Sequence, residues 1–488
     1  MNTTEIFSVS VNWLQLAPLL SLLVTALITL LYSVFSQNSN REMAGITLVG
    51  IASGAVFNFG LLMQSDATYS SFGVSFITDR PAIALNFVIF IGLALTVLSS
   101  YGRVPNSDLD HPEYYPLLLL SSFGAMVMVS SADLITLVLG LEILSLPVYA
   151  LAAFRVKQRI SQEAGMKYFL LGAFASAILI YGAALMYGAG GSFTYAGLQA
   201  AIASNGFTLL ASAGALLVFA GLGFKAALAP FHQWAPDVYT GAPTTVTTFM
   251  SVVVKVAAFA GLTRFVVALF PELDPILLTI VGGVVIATLL IGNLAALAQQ
   301  SVKRLLAYSA VAHAGYLGLA LLLTDPAGTV AIAWYLTAYT VMNAGAFIVL
   351  TIVSQNGEKN DSFTAFSGLG KREPFLAFTM TIFMLSLGGI PPLAGFAGKF
   401  LVFEAAIQGG YIWLAVAGIL TSVIALVYYF RVIIQMWFVK PSSSARPLTS
   451  DGAERFGLVL ALAATILLGI FPAWWEDLLR AGKGLFGL

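Results

Sequence analysis

Stretches of about 20 mostly apolar residues recur from one end of this chain to the other, and each is long enough to cross a bilayer as a helix. Their apolar residues do not alternate with polar ones, which argues against a transmembrane β-barrel. The sequence therefore predicts an all-α polytopic membrane protein with about 14 transmembrane helices. We place the spans at roughly 11–35, 44–63, 81–100, 114–130, 132–153, 165–187, 206–234, 243–270, 276–298, 305–323, 328–353, 375–405, 411–438 and 453–475.

The composition excludes several classes of soluble protein. Of the 488 residues, 59% are hydrophobic and 9% are charged, against about 25% charged in ordinary soluble domains. Lys+Arg and Asp+Glu both number 22, so no basic excess is available to hold nucleic acid. The absence of cysteine excludes disulfides, Cys-ligated zinc and ordinary iron–sulfur clusters. Phosphate-loop and dinucleotide-binding motifs are missing, so the chain is not expected to hydrolyse ATP or hold NADH.

Basic residues concentrate in alternate loops. Cytoplasmic loops of membrane proteins carry an excess of Lys and Arg, so these loops are expected inside and both chain termini outside. The opposite loops hold only Arg80, with Arg480 and Lys483 in the tail, and the acidic segment 271–274 falls on that side. The inside set is Arg41, Arg103, Arg155, Lys157, Arg159, Lys303, Arg304, Lys359, Lys371, Arg372, Lys440 and Arg446, with Lys167 and Arg455 at adjoining helix ends.

Two of the predicted helices contain strong breakers. Glycines and Pro230 interrupt the seventh helix over 221–232, and a Gly-Gly-Ile-Pro-Pro run interrupts the twelfth over 388–399. Proline removes a backbone donor, and free backbone groups at membrane depth are tolerated only beside protein or water. Broken helices five spans apart suggest two repeats of inverted topology, as in many transporters. The two breaks do not align residue by residue, because Lys225 precedes its proline whereas Lys399 follows its own.

Four ionisable residues lie at membrane depth, where a charge is expensive and is usually functional. They are Glu142 in the fifth helix, Lys225 before the first break, Lys255 in the eighth helix and Lys399 after the second break. A lysine in a dry cavity releases its proton more readily, because burial disfavours the charged form, and a nearby glutamate restores that form. The pattern is therefore typical of a proton path. The competing interpretation is buried ion pairs that fix helix register.

Two histidines lie near the same helices. His313 in the tenth helix is a candidate proton relay between the halves, since imidazole exchanges protons at physiological pH, or else an interhelical hydrogen-bonding group. His232 follows the first break, and for it a structural role at a helix end is favoured over proton transfer. Structural roles are also favoured for Asp237, expected to cap a chain reversal, and for Glu404 and Arg431 near late helix ends.

Several longer motifs resemble a known family. They are the 113–154 stretch with Leu-Glu-Ile-Leu-Ser-Leu at 141–146, Pro-Phe-His-Gln-Trp-Ala-Pro-Asp-Val-Tyr at 230–239, Gly-Ala-Pro at 241–243, Lys-Arg-Leu-Leu-Ala-Tyr-Ser at 303–309, His-Ala-Gly-Tyr at 313–316, and Pro-Pro-Leu-Ala-Gly-Phe-Ala-Gly-Lys-Phe at 391–400. These motifs cover the fourth to the twelfth helix. They resemble the proton-conducting antiporter-like membrane proteins, and among them the subunit N group of bacterial NADH–quinone oxidoreductase, respiratory complex I.

The resemblance implies a role for each matching residue. Glu142 would modulate Lys225 of the broken seventh helix, Lys255 would belong to the central hydrophilic axis, His313 would connect the halves, and Lys399 would lie near the exit.

The resemblance also implies cofactors and partners. FMN, iron–sulfur clusters and quinone would be held in partner subunits, with no cofactor here, and the partners would be other complex I membrane subunits, including antiporter-like paralogues. The expected location is the bacterial cytoplasmic membrane. The expected divisions are helices 1–3 over 1–110, a first repeat over 111–270, a second over 271–440, and the last helix and tail over 441–488.

Three alternatives remain open from the sequence. A subunit of a multi-component sodium–proton antiporter shares the broken-helix motifs. A scaffold that only holds neighbouring subunits would use the buried charges for packing. The leading hypothesis is a proton-translocating subunit of complex I. A photosynthetic-type homologue that takes electrons from ferredoxin is a narrower variant of that hypothesis.

Overall fold

The structure is a computed structural model that describes residues 11–36, 40–64, 68–105, 107–269, 275–323, 326–354, 361–441 and 448–480. Lys359, Arg446, Lys483 and the acidic segment 271–274 lie outside these residues. Within them, twenty α-helices are present. They are α1 Trp13–Phe35, α2 Asn40–Met63, α3 Arg80–Ser100, α4 Tyr114–Val129, α5 Leu134–Ala152, α6 Arg159–Gly190, α7 Tyr195–Asn205, α8 Leu209–Ala226, α9 Trp234–Gly241, α10 Thr244–Phe249, α11 Lys255–Leu269, α12 Pro275–Leu297, α13 Val302–Leu321, α14 Pro326–Ser354, α15 Leu369–Arg372, α16 Pro374–Gly388, α17 Ala394–Gln408, α18 Ile412–Trp437, α19 Gly452–Ile470 and α20 Pro472–Arg480.

The membrane character follows from helix length and composition. Eleven helical segments in the described part of the chain are long and apolar enough to cross a bilayer, and α4 and α16 are shorter apolar helices. Each of the fourteen predicted spans overlaps at least one helix. The predicted helical membrane fold is therefore confirmed, whereas the count of fourteen spans stays a prediction.

Three long segments form the centre of the molecule. The α14 span is fully buried inside the structure, the continuous segment Thr244–Leu269 is 94% buried and α3 is 83% buried. A π-helical turn, Met250–Val254, joins α10 to α11 within that segment. In the outer helices α1, α2, α6 and α19, fewer than half of the residues in the apolar stretch are buried, and these helices present large apolar side chains outward. Such faces are suited to lipid or to neighbouring membrane subunits.

A small hairpin and one short helix were not predicted from the sequence. Strands β1 Tyr69–Ser71 and β2 Phe76–Thr78 pair in antiparallel register. Gln15 ties the hairpin to α1 by donating to the carbonyl of Tyr69. The α7 helix lies in the segment between the sixth and seventh predicted spans, where its N-cap Thr194 forms a bridge with Asp133.

The two predicted breaks are present. The C-cap of α8 is Ala227 with φ 63°, and that of α16 is Gly389 with φ 87°, so both helices stop in the left-handed conformation typical of helix C-termini. Side chains satisfy backbone donors freed by the breaks. Thr288 accepts from the Ala229 N–H at 2.9 Å, and Ser386 accepts from the Gly395 N–H at 3.0 Å. A side chain at Gly395 would meet the carbonyl oxygen of Ser386 at 1.7 Å, so only glycine fits there.

Candidate functional site

Lys225 lies in the last turn of α8, just before the first break, and is 4% exposed. Its Nζ donates to the Ser145 hydroxyl of α5 at 2.8 Å, and Ser145 in turn donates to the Leu141 carbonyl. The rings of Tyr149 and Tyr168 lie 5.2 and 4.8 Å from the ammonium, within the range of cation–π contacts. A hydroxyl and two aromatic faces therefore hold this lysine, without an ion pair in the described part of the chain.

Glu142 precedes Ser145 by three residues on α5, which places both on one helix face. Its carboxylate makes no direct contact with Lys225 and acts on it through space. The Oε1 atom of Glu142 is buried and has no hydrogen-bond partner among the described residues. The sequence indicated the glutamate and the lysine, but it missed Ser145, which holds the ammonium.

Lys255 follows the π-helical turn directly and is 3% exposed. Its Nζ donates to the Ala310 carbonyl of α13 at 2.7 Å and lies 3.5 Å from the Ala226 carbonyl. Ala226 is the last residue of α8, so the ammonium faces the negative end of the half-helix that carries Lys225. Lys255 therefore connects the end of α8, at the first break, with α13, which corresponds to the tenth predicted span.

His313 lies three residues after Ala310 on α13 and is 1% exposed. Its Nδ1 is 2.7 Å from the Tyr335 hydroxyl, and its Nε2 is 3.1 Å from the Tyr429 hydroxyl. The centroid of its ring is 5.0 Å from that of Tyr339, which lies 5.7 Å from Lys255 Nζ. Because both imidazole nitrogens meet phenols, His313 is fixed between three helices.

Lys399 lies on α17, after the second break, and is 3% exposed. Its Nζ donates to the Ser422 hydroxyl at 2.7 Å and to the Gly388 carbonyl at 3.1 Å, and lies 4.6 Å from the Tyr316 ring. Gly388 is the last residue of α16. In each half of the molecule, therefore, a lysine faces the carbonyl end of the first half-helix of the break.

These residues form one buried row, here called the lysine row: Lys225, Lys255, His313 and Lys399 with their hydroxyl and ring contacts. Tyr339 lies between Lys255 and His313, and Tyr316 contacts both His313 and Lys399. The row runs from one broken helix to the other. Sequence reasoning missed its hydroxyl and aromatic members, Ser145, Tyr149, Tyr168, Ser309, Tyr316, Tyr335, Tyr339, Ser422 and Tyr429.

His232 lies apart from this row in the described contacts. Its carbonyl accepts from the Ala235 N–H at 2.9 Å, at the start of α9, and its Nδ1 has no hydrogen-bond partner among the described residues. Arg431 donates to the Leu297 carbonyl at the end of α12, and Glu404 is exposed and accepts from Gln408. These contacts agree with structural roles.

Asp237 does not cap a chain reversal as expected. It lies in the first turn of α9 and pairs with Lys167 at 3.1 Å and Arg304 at 2.9 Å. A surface cleft of about 170 Å³ lies over these residues and is also lined by Glu163 and Thr240. Three segments predicted to share one membrane side thus meet in this charged cluster.

A buried charge pair was not predicted from the sequence. Arg264 on α11 pairs with Asp79 at 2.8 Å, and both side chains are 2% exposed. The guanidinium also donates to the Val129 carbonyl at the end of α4, and Asp79 caps α3 by accepting from the Ala82 N–H. The pair therefore fastens three helix ends together at the side of the molecule opposite Asp237.

Replacing Asp79 by alanine is expected to destabilise the protein by about 3–5 kcal/mol, because the change leaves a buried guanidinium without its carboxylate. The measurement is the thermal stability of the detergent-extracted chain in its assembly. The double variant D79A/R264L should recover much of the loss, since it removes the buried charge as well. Equal stability of Asp79→Ala and the unmodified protein would show that the pair does not stabilise the fold.

Metal chemistry has no evident site in these residues. Across the described ranges, no cluster of three or more His, Asp and Glu side chains is arranged to hold a metal ion. The buried row consists instead of amines, an imidazole, hydroxyls and carbonyls. Those groups can accept, hold and donate protons.

Comparisons with known proteins agree with this arrangement. The family described as "NADH:quinone oxidoreductase/Mrp antiporter, TM" matches residues 131–425. NADH-quinone oxidoreductase subunit N 1 of Herpetosiphon aurantiacus is 38% identical over 99% of both chains. A chain of respiratory complex I from Thermus thermophilus is 34% identical, covers 96% of this chain and 100% of its own, and superposes with a TM-score of 0.82.

A chain of the Mrp complex from Dietzia sp. DQ12-45-1b superposes with a TM-score of 0.84 and covers 97% of both chains. At 21% identity, that likeness shows the fold alone. The family match and the subunit N relative each span more than half of the chain, and the match includes Lys225, Lys255, His313 and Lys399. The chain therefore belongs to the NADH:quinone oxidoreductase/Mrp antiporter family of membrane proteins.

Proposed function

We propose that this chain carries protons outward across the bacterial cytoplasmic membrane as a membrane subunit of NADH–quinone oxidoreductase. The observation that carries the proposal is the lysine row. It places three amines and an imidazole, each no more than 4% exposed, between two broken helices. Tyr339 and Tyr316 link Lys255, His313 and Lys399, and the Ala226 carbonyl next to Lys225 lies 3.5 Å from Lys255 Nζ. Buried ionisable groups of this density are expensive in a membrane protein and are retained where charge must move.

The chemistry of the row is proton exchange between neutral and charged forms. Burial disfavours an ammonium, whereas a carboxylate nearby favours it. Glu142 acts on Lys225 through space, so a change in its charge or distance would alter how firmly Lys225 holds its proton. In each transfer a charged lysine or imidazolium becomes neutral, and the next amine or imidazole becomes charged. Quinone reduction elsewhere in the assembly would supply the energy.

The lysines have hydroxyl and carbonyl partners, and these partners differ in whether they suit the charged or the neutral amine. Ser145 and Ser422 are hydroxyl partners that accept from an ammonium and can donate to a neutral amine. The Ala226 and Gly388 carbonyls, in contrast, accept only, and they favour the protonated amine. Lys225 is thus held by a partner that suits either state, while Lys255 faces two carbonyls, which accept from its amine and cannot donate to it.

We further propose that both termini lie outside and that 111–270 and 271–440 are inverted repeats, with 1–110 and 441–488 flanking them. The ion pairs of Asp237 join Lys167 to Arg304, which supports the expected placement of both basic residues on one membrane side. Lys303 lies on the same side, although it is buried and donates to the Ala242 carbonyl rather than facing water.

The partners proposed are the other membrane subunits of complex I, including antiporter-like paralogues, together with the lipid bilayer. FMN, iron–sulfur clusters and quinone would be held by partner subunits, since this chain has no cysteine to ligate a cluster. The subunit N relative is 38% identical and the Mrp chain is 21% identical, each over nearly the whole chain, and this difference in identity favours the assignment over a sodium–proton antiporter subunit.

The test is a gentle purification of the tagged chain from its native membrane, followed by a native gel with an in-gel NADH dehydrogenase stain. We expect the chain to migrate with a large NADH-oxidising assembly. A particle without that activity, together with proton movement that depends on a Na⁺ gradient, would instead support the sodium–proton antiporter.

A further inference from the structure

A set of buried polar side chains leads away from Lys255 and shares only Tyr339 with the lysine row. Thr244, Thr248 and Ser251 lie on the continuous segment Thr244–Leu269, here called the α10 segment, and Tyr339 and Asn343 lie on α14, which packs against it. None of the five is more than 5% exposed. They are here called the polar seam.

The hydroxyls of the seam follow one face of their helix. Thr244, Thr248, Ser251 and Lys255 are spaced by four, three and four residues, which is the spacing of helical neighbours. Thr248 donates to the Thr244 carbonyl and Ser251 to the Thr248 carbonyl, both within the helix. Their oxygen lone pairs stay available as acceptors along the path to the lysine. The π-helical turn that precedes Lys255 is of a kind often found at functional sites.

Asn343 is the most unusual member of the seam. It is fully buried, yet neither its amide oxygen nor its amide nitrogen has a hydrogen-bond partner in the part of the chain that the structure describes. The hydroxyls of Tyr339 and Thr340 are also buried without a hydrogen-bond partner among the described residues. Burying such groups unpaired is costly, and native structures satisfy them with protein or with ordered water.

Contacts of the neighbouring residues show which way Asn343 faces. Tyr339, one turn before it, lies 5.7 Å from Lys255 Nζ, and residues four apart share a helix face. Thr340, three residues before it, approaches Gly92 of α3 beside Val252 and Val253 of the π-helical turn. Asn343 therefore faces the α10 segment and α3.

Chain direction places Asn343 on the Thr244 side of Lys255. The α13 helix begins beside α10, because Lys303 donates to the carbonyl of Ala242, two residues before Thr244. The α14 helix packs against α13, and the Val302 N–H at the start of α13 donates to the carbonyl of Asp361, seven residues after the end of α14, so the later residues of α14 return toward the same membrane side. The charged cleft around Asp237 includes Thr240, four residues before Thr244. The seam thus extends from that cleft toward Lys255.

We propose that the polar seam is a hydrated inlet that delivers protons from the inner membrane surface to Lys255, and that Asn343 positions its water. The inference rests on the proposed function for its direction. Buried water in proteins typically makes about three hydrogen bonds to otherwise unsatisfied polar groups, and the seam supplies amide and hydroxyl groups of that kind. This inlet is separate from the α8 break and reaches the row at Lys255 rather than at Lys225.

The absence of cysteine from the chain permits a direct test of hydration. In the assembled complex, Ser251→Cys places a thiol in the seam. Val253→Cys is the matched control, because Val253 lies on the same turn, is 1% exposed and approaches Gly92. A small charged methanethiosulfonate reagent is added to inverted membrane vesicles, and modification of this chain is followed by its mass shift. We expect Ser251→Cys to react at least about tenfold faster, because the reactive thiolate forms where water reaches it.

Asn343 is tested on the Ser251→Cys background. Asn343→Leu, a change of similar size, should lower both the labelling rate and NADH-driven proton pumping severalfold, whereas Asn343→Ser should preserve both because a hydroxyl can still bind water. If the seam held no water, the leucine of Asn343→Leu would only stabilise the packing of side chains at this position. Equal labelling of the two cysteine variants, or full pumping and labelling with Asn343→Leu, would overturn the inlet. Failure of the proposed function would instead appear as normal proton pumping by the Lys225→Ala variant. That measurement is independent of the labelling rates in the seam.

Discussion

Lys225→Ala is expected to reduce NADH-driven proton pumping by at least about tenfold, equivalent to about 1.4 kcal/mol of barrier, with the complex still assembled. The change removes the amine that donates to Ser145 and leaves an apolar gap between the rings of Tyr149 and Tyr168. A proton cannot cross such a gap without a group to hold it. Assembly should survive, because Lys225 makes no ion pair with any described residue, so its loss leaves no directly contacting charge buried without a partner. Pumping in vesicles and the in-gel NADH stain measure the two effects separately.

Variants of the neighbouring α5 helix serve as controls. Ser145→Ala removes the hydroxyl but leaves the amine, so it should reduce pumping less than Lys225→Ala. Glu142→Gln should resemble Lys225→Ala, whereas Glu142→Asp should be milder because the carboxylate charge remains. Equal behaviour of Glu142→Gln and Glu142→Asp would show that charge is not what Glu142 contributes. Unchanged pumping by Lys225→Ala in a fully assembled complex would remove this lysine from the path.

The sequence was most informative about ionisable residues. Lys225, Lys255, His313 and Lys399 stood out because their charges interrupt apolar stretches, and the structure brings all four into one row. Their roles in transport stay predictions, since the fold shows position and contact but not turnover. The breaks were equally visible, because Gly and Pro runs have few uses inside a membrane helix.

Hydroxyl and aromatic members of the row could not be predicted from the sequence. Serine and tyrosine are common in membrane helices, so residue type alone does not separate Ser145 or Ser422 from serines that only bond their own backbone. Their importance depends on which helix lies opposite, and that is set by tertiary packing. Arg264 was missed for a related reason, because its partner Asp79 lies on the distant α3 helix end.

The correspondence between the two halves also required the structure. In sequence, Lys225 and Lys399 flank their prolines in opposite order. In space, Lys399 faces the Gly388 carbonyl at the end of α16, and Lys255 faces the Ala226 carbonyl at the end of α8. By contact, therefore, Lys255 rather than Lys225 is the counterpart of Lys399. A lysine at the negative end of each half-helix is the feature that the halves share.

Lys255→Arg separates a proton relay from a structural charge at the centre of the row. Arginine keeps the positive charge and can donate to the Ala310 and Ala226 carbonyls, but its guanidinium does not deprotonate in proteins. A relay predicts that Lys255→Arg loses pumping about as severely as Lys255→Met, at least about tenfold. A packing charge predicts that arginine preserves pumping and that only methionine impairs it. The measurement is NADH-driven pumping of both variants at equal complex content. Near-normal pumping by Lys255→Arg would mean that protons bypass this amine, and the row would then hold helices together at its centre rather than conduct.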